Sequence, residues 1–198
     1  MTLQHGGLSP SAWVKRWSTL VPAGARVLDV ACGAGRHVRW FAGRGAHVTA
    51  LDRDAAATAP LRALPETQVE VIVADIENAP WPLPGRRFDA VVVTNYLWRP
   101  LLPTLLASVN NGGVLIYETF ARGNETVGKP SNPAFLLEPG ELMWVATGLR
   151  VIAFEDGFLG HGAPRFVQRV VAVREPPPGG APLRHALDEP AGPSAAPG

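Results

Sequence analysis

The sequence predicts an α/β fold: a doubly wound, mostly parallel seven-stranded sheet with helices on both faces and a reversed last strand. Three observations predict it. Short continuous apolar runs (RVLDVA, AHVTAL, VEVIVA, FDAVVVT and VLIYET) alternate with segments of helical pattern. Continuous rather than alternating runs mark strands buried on both faces, as in parallel sheets covered by crossover helices. Those crossovers are right-handed, which leads to an open doubly wound sheet. Finally, two β-rich segments near the end are separated by the turn-forming GFLGHGAP, so they run antiparallel.

Each element follows from local chemistry. Residues 10–20, PSAWVKRWSTL, place Trp13, Trp17 and Leu20 on one face of a short helix that either covers a sheet edge or lids a ligand. Residues 26–31 form the first strand and 35–44 a helix. Residues 46–51 form the second strand, an Ala-rich helix covers about 54–63, and 69–74 form the third strand. The three prolines of NAPWPLPGRR exclude a regular helix there. Residues 88–94 form the fourth strand. A helix over 100–109 starts at Pro100, where a missing N–H costs little, and Gly112-Gly113 is expected to end it. The fifth strand is 114–119, a polar loop covers 121–137, and a helix spans about 139–147. Strands 149–155 and 166–173 close the sheet. Residues 1–175 thus read as one domain, and the Pro/Gly/Ala-rich 176–198 as a disordered tail.

Composition narrows the function. Apolar residues are 46% and charged residues 18% of the chain, which suits a sizeable core. The net charge of +1 argues against a protein built to hold nucleic-acid backbone. Cys32 is the only cysteine, so no intramolecular disulfide and no cysteine-based zinc cluster can form, and no spaced His/Asp/Glu cluster points to another metal. No apolar run reaches the roughly 18–20 residues that span a bilayer, and the N-terminus lacks a secretion-signal core. The reading is a cytoplasmic protein with no membrane partner.

The strand tips carry the chemistry. Ligands of doubly wound sheets sit beyond the carboxyl ends of the strands where strand order reverses. The loop Cys32-Gly33-Ala34-Gly35 lies at the first tip, and both glycines can take positive φ and leave no Cβ in the way. Asp52, with Arg53 beside it, ends the second strand and can accept from both hydroxyls of a ribose. Ala74-Asp75-Ile76 ends the third: Asp75 can accept from an exocyclic amine and Ile76 can press on a flat base. Glycine loop, ribose acid and base clamp suit a nucleoside-bearing cofactor. A dinucleotide would want G-x-G-x-x-G, but the third glycine is Val38, so NAD is a weak match.

The stretch Asp29-Val30-Ala31-Cys32-Gly33-Ala34-Gly35 resembles the glycine motif of class I, Rossmann-like S-adenosylmethionine-dependent methyltransferases, whose usual form is an acid and then G-C-G-x-G. Ala31 replaces the first glycine, which a negative φ would tolerate. The resemblance continues through Asp52 and Ala74-Asp75 and spans roughly residues 12–174. It is nearest to small bacterial tellurite-resistance and thiopurine-type methyltransferases, carried by VLDVACGAGRH, NYLWRPLL, YETFARGNE and GKPSNPAFLLEPGEL. It implies S-adenosyl-L-methionine as cofactor and S-adenosyl-L-homocysteine as product. Asp29, Ala31, Cys32, Gly33, Gly35, Asp52, Arg53, Ala74, Asp75, Ile76 and Asn95 are then cofactor contacts, with Asp29 facing the amino-acid end. Cys32 also reads as a small packing residue, and His37 as an early-helix residue.

The acceptor belongs beyond the fourth and fifth strands. Thr94-Asn95-Tyr96-Leu97-Trp98-Arg99 lacks the Asn/Asp-Pro-Pro-aromatic motif of enzymes that methylate base amines, which argues against a nucleobase acceptor. Asn95, Tyr96 and Glu118 are the catalytic candidates. Tyr96 and Trp98 can also fill core, and Glu118 can be structural. Arg99, Arg122, Asn124 and Lys129 are the substrate candidates, and the loop over 120–138 reads as a substrate lid anchored by its apolar end, long enough to imply function or disorder. The expected reaction is methyl transfer to a small-molecule acceptor, with an anion suited to these cations. A nicotinamide-dependent oxidoreductase and a non-catalytic S-adenosylmethionine-binding module are the alternatives.

Overall fold

The computed structural model describes residues 9–176 and 184–187, and the predicted tail lies largely outside them. The chain runs α1 (Ala12–Trp17), β1 (Arg26–Val30), α2 (Arg36–Ala42), β2 (His47–Asp52), α3 (Ala55–Thr58), β3 (Val69–Val73), β4 (Phe88–Thr94), α4 (Leu102–Ala107), β5 (Val109–Phe120), α5 (Glu141–Val145), β6 (Arg150–Leu159) and β7 (Arg165–Val173). The seven strands form one sheet in the order β3-β2-β1-β4-β5-β7-β6. β1 to β5 pair in parallel, and β7 enters between β5 and β6 antiparallel to both.

Strand alternation builds two cores. On β4, Ala90 and Val92 face one side and Val91 and Val93 the other, all fully buried. The first side is covered by α1 and α2 through Trp13, Val14, Trp17, Val38 and Phe41. The second is covered by α4 and α5 through Leu102, Leu105 and Leu142. Thus Trp13 and Trp17 pack against the face of the sheet. The short helices start at suitable caps: Ser11 Oγ accepts from Val14 N–H, and Asp54 accepts from Ala56 and Ala57 N–H.

Several boundaries differ from expectation: α3 ends at Thr58, β5 begins at Val109, and β6 runs to Leu159 and so takes in Gly157-Phe158-Leu159. Gly112-Gly113 does not end α4. That helix stops at Ala107, with Ser108 as its cap, and both glycines lie inside β5. The β4–β5 register shifts between Phe88 and Ala90, so residues 110–113 of β5 stand outside its regular ladder with β4. A Cβ on Gly113 would sit 2.9 Å from the carbonyl oxygens of Asn110 and Phe88, so close backbone approach requires glycine there.

The register aligns the functional ends. Val30 pairs with Leu51, Asp52 with Val73, and Thr94 with Glu118. The tips of β1 to β5 therefore lie along one edge of the sheet. Among the described residues no helix is long and apolar enough to cross a membrane.

Candidate functional site at the strand tips

Between β1 and α2 the backbone turns left-handed three times, at Ala31 (φ 53°), Gly33 (φ 54°) and Gly35 (φ 75°). The expected negative φ at Ala31 is corrected here: alanine holds the left-handed conformation where the motif it resembles has its first glycine. That conformation costs a non-glycine residue about 1–2 kcal/mol, and such strain collects at binding sites. A Cβ on Gly33 would meet nothing within 4 Å, so the loop opens onto space at that point. At Gly35 a Cβ would overlap the buried side chain of Leu61. The two glycines thus serve different needs, one toward the open side and one toward the core.

Asp52 fixes this loop. Its Oδ2 accepts from Gly33 N–H at 2.7 Å and its Oδ1 from Asp54 N–H at 2.8 Å. Each oxygen keeps a second lone pair for a ligand hydroxyl. Arg53 is exposed and 4.0 Å from Glu77. Asp75 braces the turn after β3: Oδ1 accepts from Glu77 and Asn78 N–H, and Oδ2 from the Asn78 amide. The Asn78 side chain and then the Glu77 N–H hold its pKa below the ordinary value. Ala74 and Ile76 flank it, half-buried.

Asp29 is 1% exposed, and its Oδ2 has no hydrogen-bond partner. Burial raises its pKa to about 7, against the opposing pull of Arg36 and with help from Asp52. The stability consequence has a definite sign. Between about pH 4 and pH 7 the unfolded chain has lost this proton and the folded chain keeps it, so stability from this group falls as pH rises and is flat above pH 7. Asp29→Asn removes the titration. Its stability relative to wild type should therefore improve from pH 4.5 to 7.5, by about 4 kcal/mol at most. Urea unfolding at the two pH values checks this, and an unchanged difference contradicts it. Cys32 is 8% exposed, and burial, then Asp29 and Asp52, push its thiol pKa up, which leaves it a packing residue.

At the tip of β4, Asn95 is exposed and left-handed (φ 55°), with its N–H donating to Glu118 O at 2.9 Å. Tyr96 is half-buried, its Oη without a partner and near the Glu77 carboxylate, though short of a well-formed hydrogen bond. Burial and then Glu77 push its pKa up. The buried Tyr117 hydroxyl donates to Tyr96 O at 2.8 Å, which ties the β4 tip to β5. Trp98 is half-buried against the α4-side core.

Glu118 is 4% exposed and takes a hydrogen bond from Arg169 Nη1 at 3.2 Å. The same guanidinium donates to Glu155 at the β6 side and lies 4.8 Å from the ring centre of Trp13. Arg169 was not legible as a site residue: its strand position gave no signal until β7 was inserted beside β5. His37 is 1% exposed and bridges elements. Its Nε2 accepts from Ser11 N–H at 3.1 Å, so the proton sits on Nδ1, facing Thr94 Oγ1 at 3.4 Å. Burial, then Arg36, push its pKa down to about 3, so it stays neutral.

Three substrate candidates are engaged within the protein itself. Arg99 donates to both oxygens of Glu141 at 2.8 Å and to the carbonyls of Ala134 and Leu136 at 2.9 Å, so its fork is spent on tying down the loop. Arg122 is paired with Glu138 at 2.8 Å. Asn124 is buried: its amide donates to Pro130 O, and its Oδ1 accepts from Phe166 N–H. Lys129 is exposed at the loop tip. The loop closes at its base, where Ala121 bridges Leu137, with Leu136 and Leu137 fully buried. Its apolar anchor is these two leucines, while Phe135 is 46% exposed. Among the described residues no group of three or more His, Cys, Asp or Glu is placed to hold a metal.

Residues 27–112 match a family described as a methyltransferase domain. No curated protein matches the chain. Among solved structures, TehB from Haemophilus influenzae aligns with a TM-score of 0.69 at 20% identity, over 84% of this chain and 63% of that one. This chain therefore spans less than two thirds of TehB. An S-adenosylmethionine-dependent methyltransferase from Mesorhizobium loti aligns with a TM-score of 0.64 at 18% identity, over 84% and 99% of the two chains. The glycopeptide N-methyltransferase MtfA complexed with sinefungin aligns with a TM-score of 0.59 at 20% identity, over 88% and 96%. The matched domain runs from β1 through β4 into β5, and so contains the glycine loop, Asp52, Asp75 and the β4 tip.

Proposed function

We propose that this chain is a class I, Rossmann-like methyltransferase, a reading its matched domain and its fold support, and that it transfers a methyl group from S-adenosyl-L-methionine to a small-molecule acceptor over the tips of β4 and β5. The observation that carries this reading is β7, antiparallel between β5 and β6. A dinucleotide-binding sheet has the strand order 3-2-1-4-5-6, with no reversed strand inserted between the fifth and sixth, so the topology speaks against the oxidoreductase alternative. The open space at Gly33 and the unpartnered Asp29 oxygen suit a cofactor whose amino-acid end carries charge. In this reading Asp52 holds ribose hydroxyls, Asp75 and Ile76 take the base, and Ala31 to Gly35 line the amino-acid end. Once bound, the cofactor supplies an activated methyl on a sulfonium, and the protein's work is alignment and exclusion of water.

The acceptor side favours a nucleophile that needs no protein base. The Glu118 carboxylate is committed to Arg169, both ring nitrogens of His37 face partners, and the Tyr96 hydroxyl is held protonated. We therefore assign Asn95 and Tyr96 to positioning. Thiolates and chalcogen oxyanions fit, since they arrive ready to attack. Lys129, at the exposed loop tip, supports an anionic acceptor. Formation of S-adenosylhomocysteine across small thiols, selenite, tellurite, amines and alcohols tests this. Turnover with a thiol or a chalcogen oxyanion is expected. Turnover confined to alcohols contradicts the base-free reading, and binding without any turnover favours the non-catalytic module.

A further inference from the structure

We propose that the outer surface of α1 and α2 is a docking site for a short acidic segment of a partner protein, received by Lys15, Arg16, Arg39, Arg44 and Arg62 around Trp40.

Charge is segregated along this chain. Residues 1–51 hold six of its lysines and arginines and a single acid, Asp29, so they carry +5. Residues 52–198 hold the other twelve cations and sixteen acids, so they carry −4, and the two parts together give the net +1. Asp29 is 1% exposed and lends the surface no negative charge.

The fold gathers much of this excess on one face. Lys15 Nζ and the Arg44 guanidinium each lie 5.6 Å from the centre of the Trp40 ring, which brings α1 and the end of α2 together around one half-buried indole. Arg16, beside Lys15, lies 4.9 Å from the ring centre of Trp17. Arg39 Nη2 donates to Pro60 O at 3.4 Å, which continues the surface to the helical turn Ala59–Ala63 and Arg62. Neither α1 nor α2 contains an acidic residue. Among the described residues none of these five cations forms an ion pair, whereas seven arginines elsewhere do. Like charges gathered this way repel one another in the free chain, and carboxylates laid across them relieve the repulsion.

The surroundings select the kind of partner. Among the described residues no large apolar side chain of α1 or α2 is exposed, so nothing on this face would insert into a lipid surface. The Trp40 ring is half-buried with two cations beside it, so it offers no platform for a stacked base. The rest of the chain carries −4, so a long polyanion would meet repulsion beyond the patch, while a short acidic segment ends within it. α1 has six residues and α2 seven, so each is about 10 Å long. That length faces about three residues of an extended acidic segment.

Fluorescence anisotropy with labelled deca-glutamate and labelled deca-uridylate, and co-sedimentation with vesicles of phosphatidylserine and phosphatidylcholine, test this on the full chain. Deca-glutamate should bind the wild type more tightly than the other two probes and should weaken as salt is added. Lys15→Glu combined with Arg44→Glu should weaken it at least about tenfold. Lys15→Gln combined with Arg44→Gln should fall between, and it carries the comparison if the reversed pair does not melt cooperatively. Arg87→Glu combined with Arg150→Glu changes the net charge equally at the exposed starts of β4 and β6, and should weaken the peptide by less than about twofold. Equal weakening by this control overturns the inference, because binding would then follow net charge alone. Absence of peptide binding overturns it as well. Tighter binding of deca-uridylate or of the vesicles overturns it in favour of a nucleic acid or a membrane surface.

Discussion

Arg169→Met should lower unfolding stability by about 3 kcal/mol, one of the largest losses available from a single polar substitution in this chain. The Glu118 carboxylate side chain is 5% exposed and Arg169 is 15% exposed, so neither is screened as a surface pair would be. Removing the guanidinium leaves a buried acid without its partner, and it also frees Glu155 and uncovers the Trp13 ring. For a chain of this length the loss corresponds to roughly 6–12 °C in Tm. Glu118→Leu combined with Arg169→Met should recover much of it, because an apolar pair of similar volume removes the desolvation penalty. A single variant as stable as wild type, with no recovery to measure, would mean that Glu118 is reached by water.

Gly35→Ala should cost about 2–4 kcal/mol and remove cofactor binding, whereas Gly33→Ala should cost only about 1 kcal/mol in stability. Both positions are left-handed, and the neighbours make the difference. At Gly35 the new methyl would meet Leu61, which is fully buried and cannot swing away without disturbing the core around Val38 and Phe41. At Gly33 nothing lies within 4 Å, so strain is the only penalty in the free protein. Its methyl would point into the space assigned to the ligand, so Gly33→Ala should weaken S-adenosylhomocysteine while barely moving the unfolding curve. Equal stability loss in both variants would contradict this division of roles.

The parts of the fold written in short-range chemistry were legible in the sequence. Apolar runs such as FDAVVVT gave the buried strands, and the expected antiparallel pair is present, although Gly157-Phe158-Leu159, read as part of its turn, lies inside β6. Position in the sheet was harder to read: nothing local announces that β7 lies between β5 and β6, and so nothing announced that Arg169 reaches Glu118. Gly112-Gly113 read as a helix end because glycine serves both a helix cap and a register shift within a strand, and only the neighbouring carbonyls distinguish them. Ala31 failed in the opposite direction, since alanine at φ 53° breaks the rule that a left-handed site wants glycine. Arg99, Arg122 and Asn124 read as substrate groups because their residue types suit anions. Their partners, Glu141, Glu138, Pro130 and Phe166, lie far enough along the chain to be invisible in it.

The cofactor assignment is tested most directly by calorimetric titration of the purified chain with S-adenosylhomocysteine and, separately, with NADH, each repeated on Asp52→Ala. Asp52 binds the loop through Gly33 N–H and has lone pairs left for a ribose, so its removal weakens the site in two ways. The account predicts micromolar binding of S-adenosylhomocysteine, at least tenfold weaker in Asp52→Ala, and no measurable binding of NADH. NADH binding more tightly than S-adenosylhomocysteine, or S-adenosylhomocysteine binding that Asp52→Ala leaves unchanged, would contradict it.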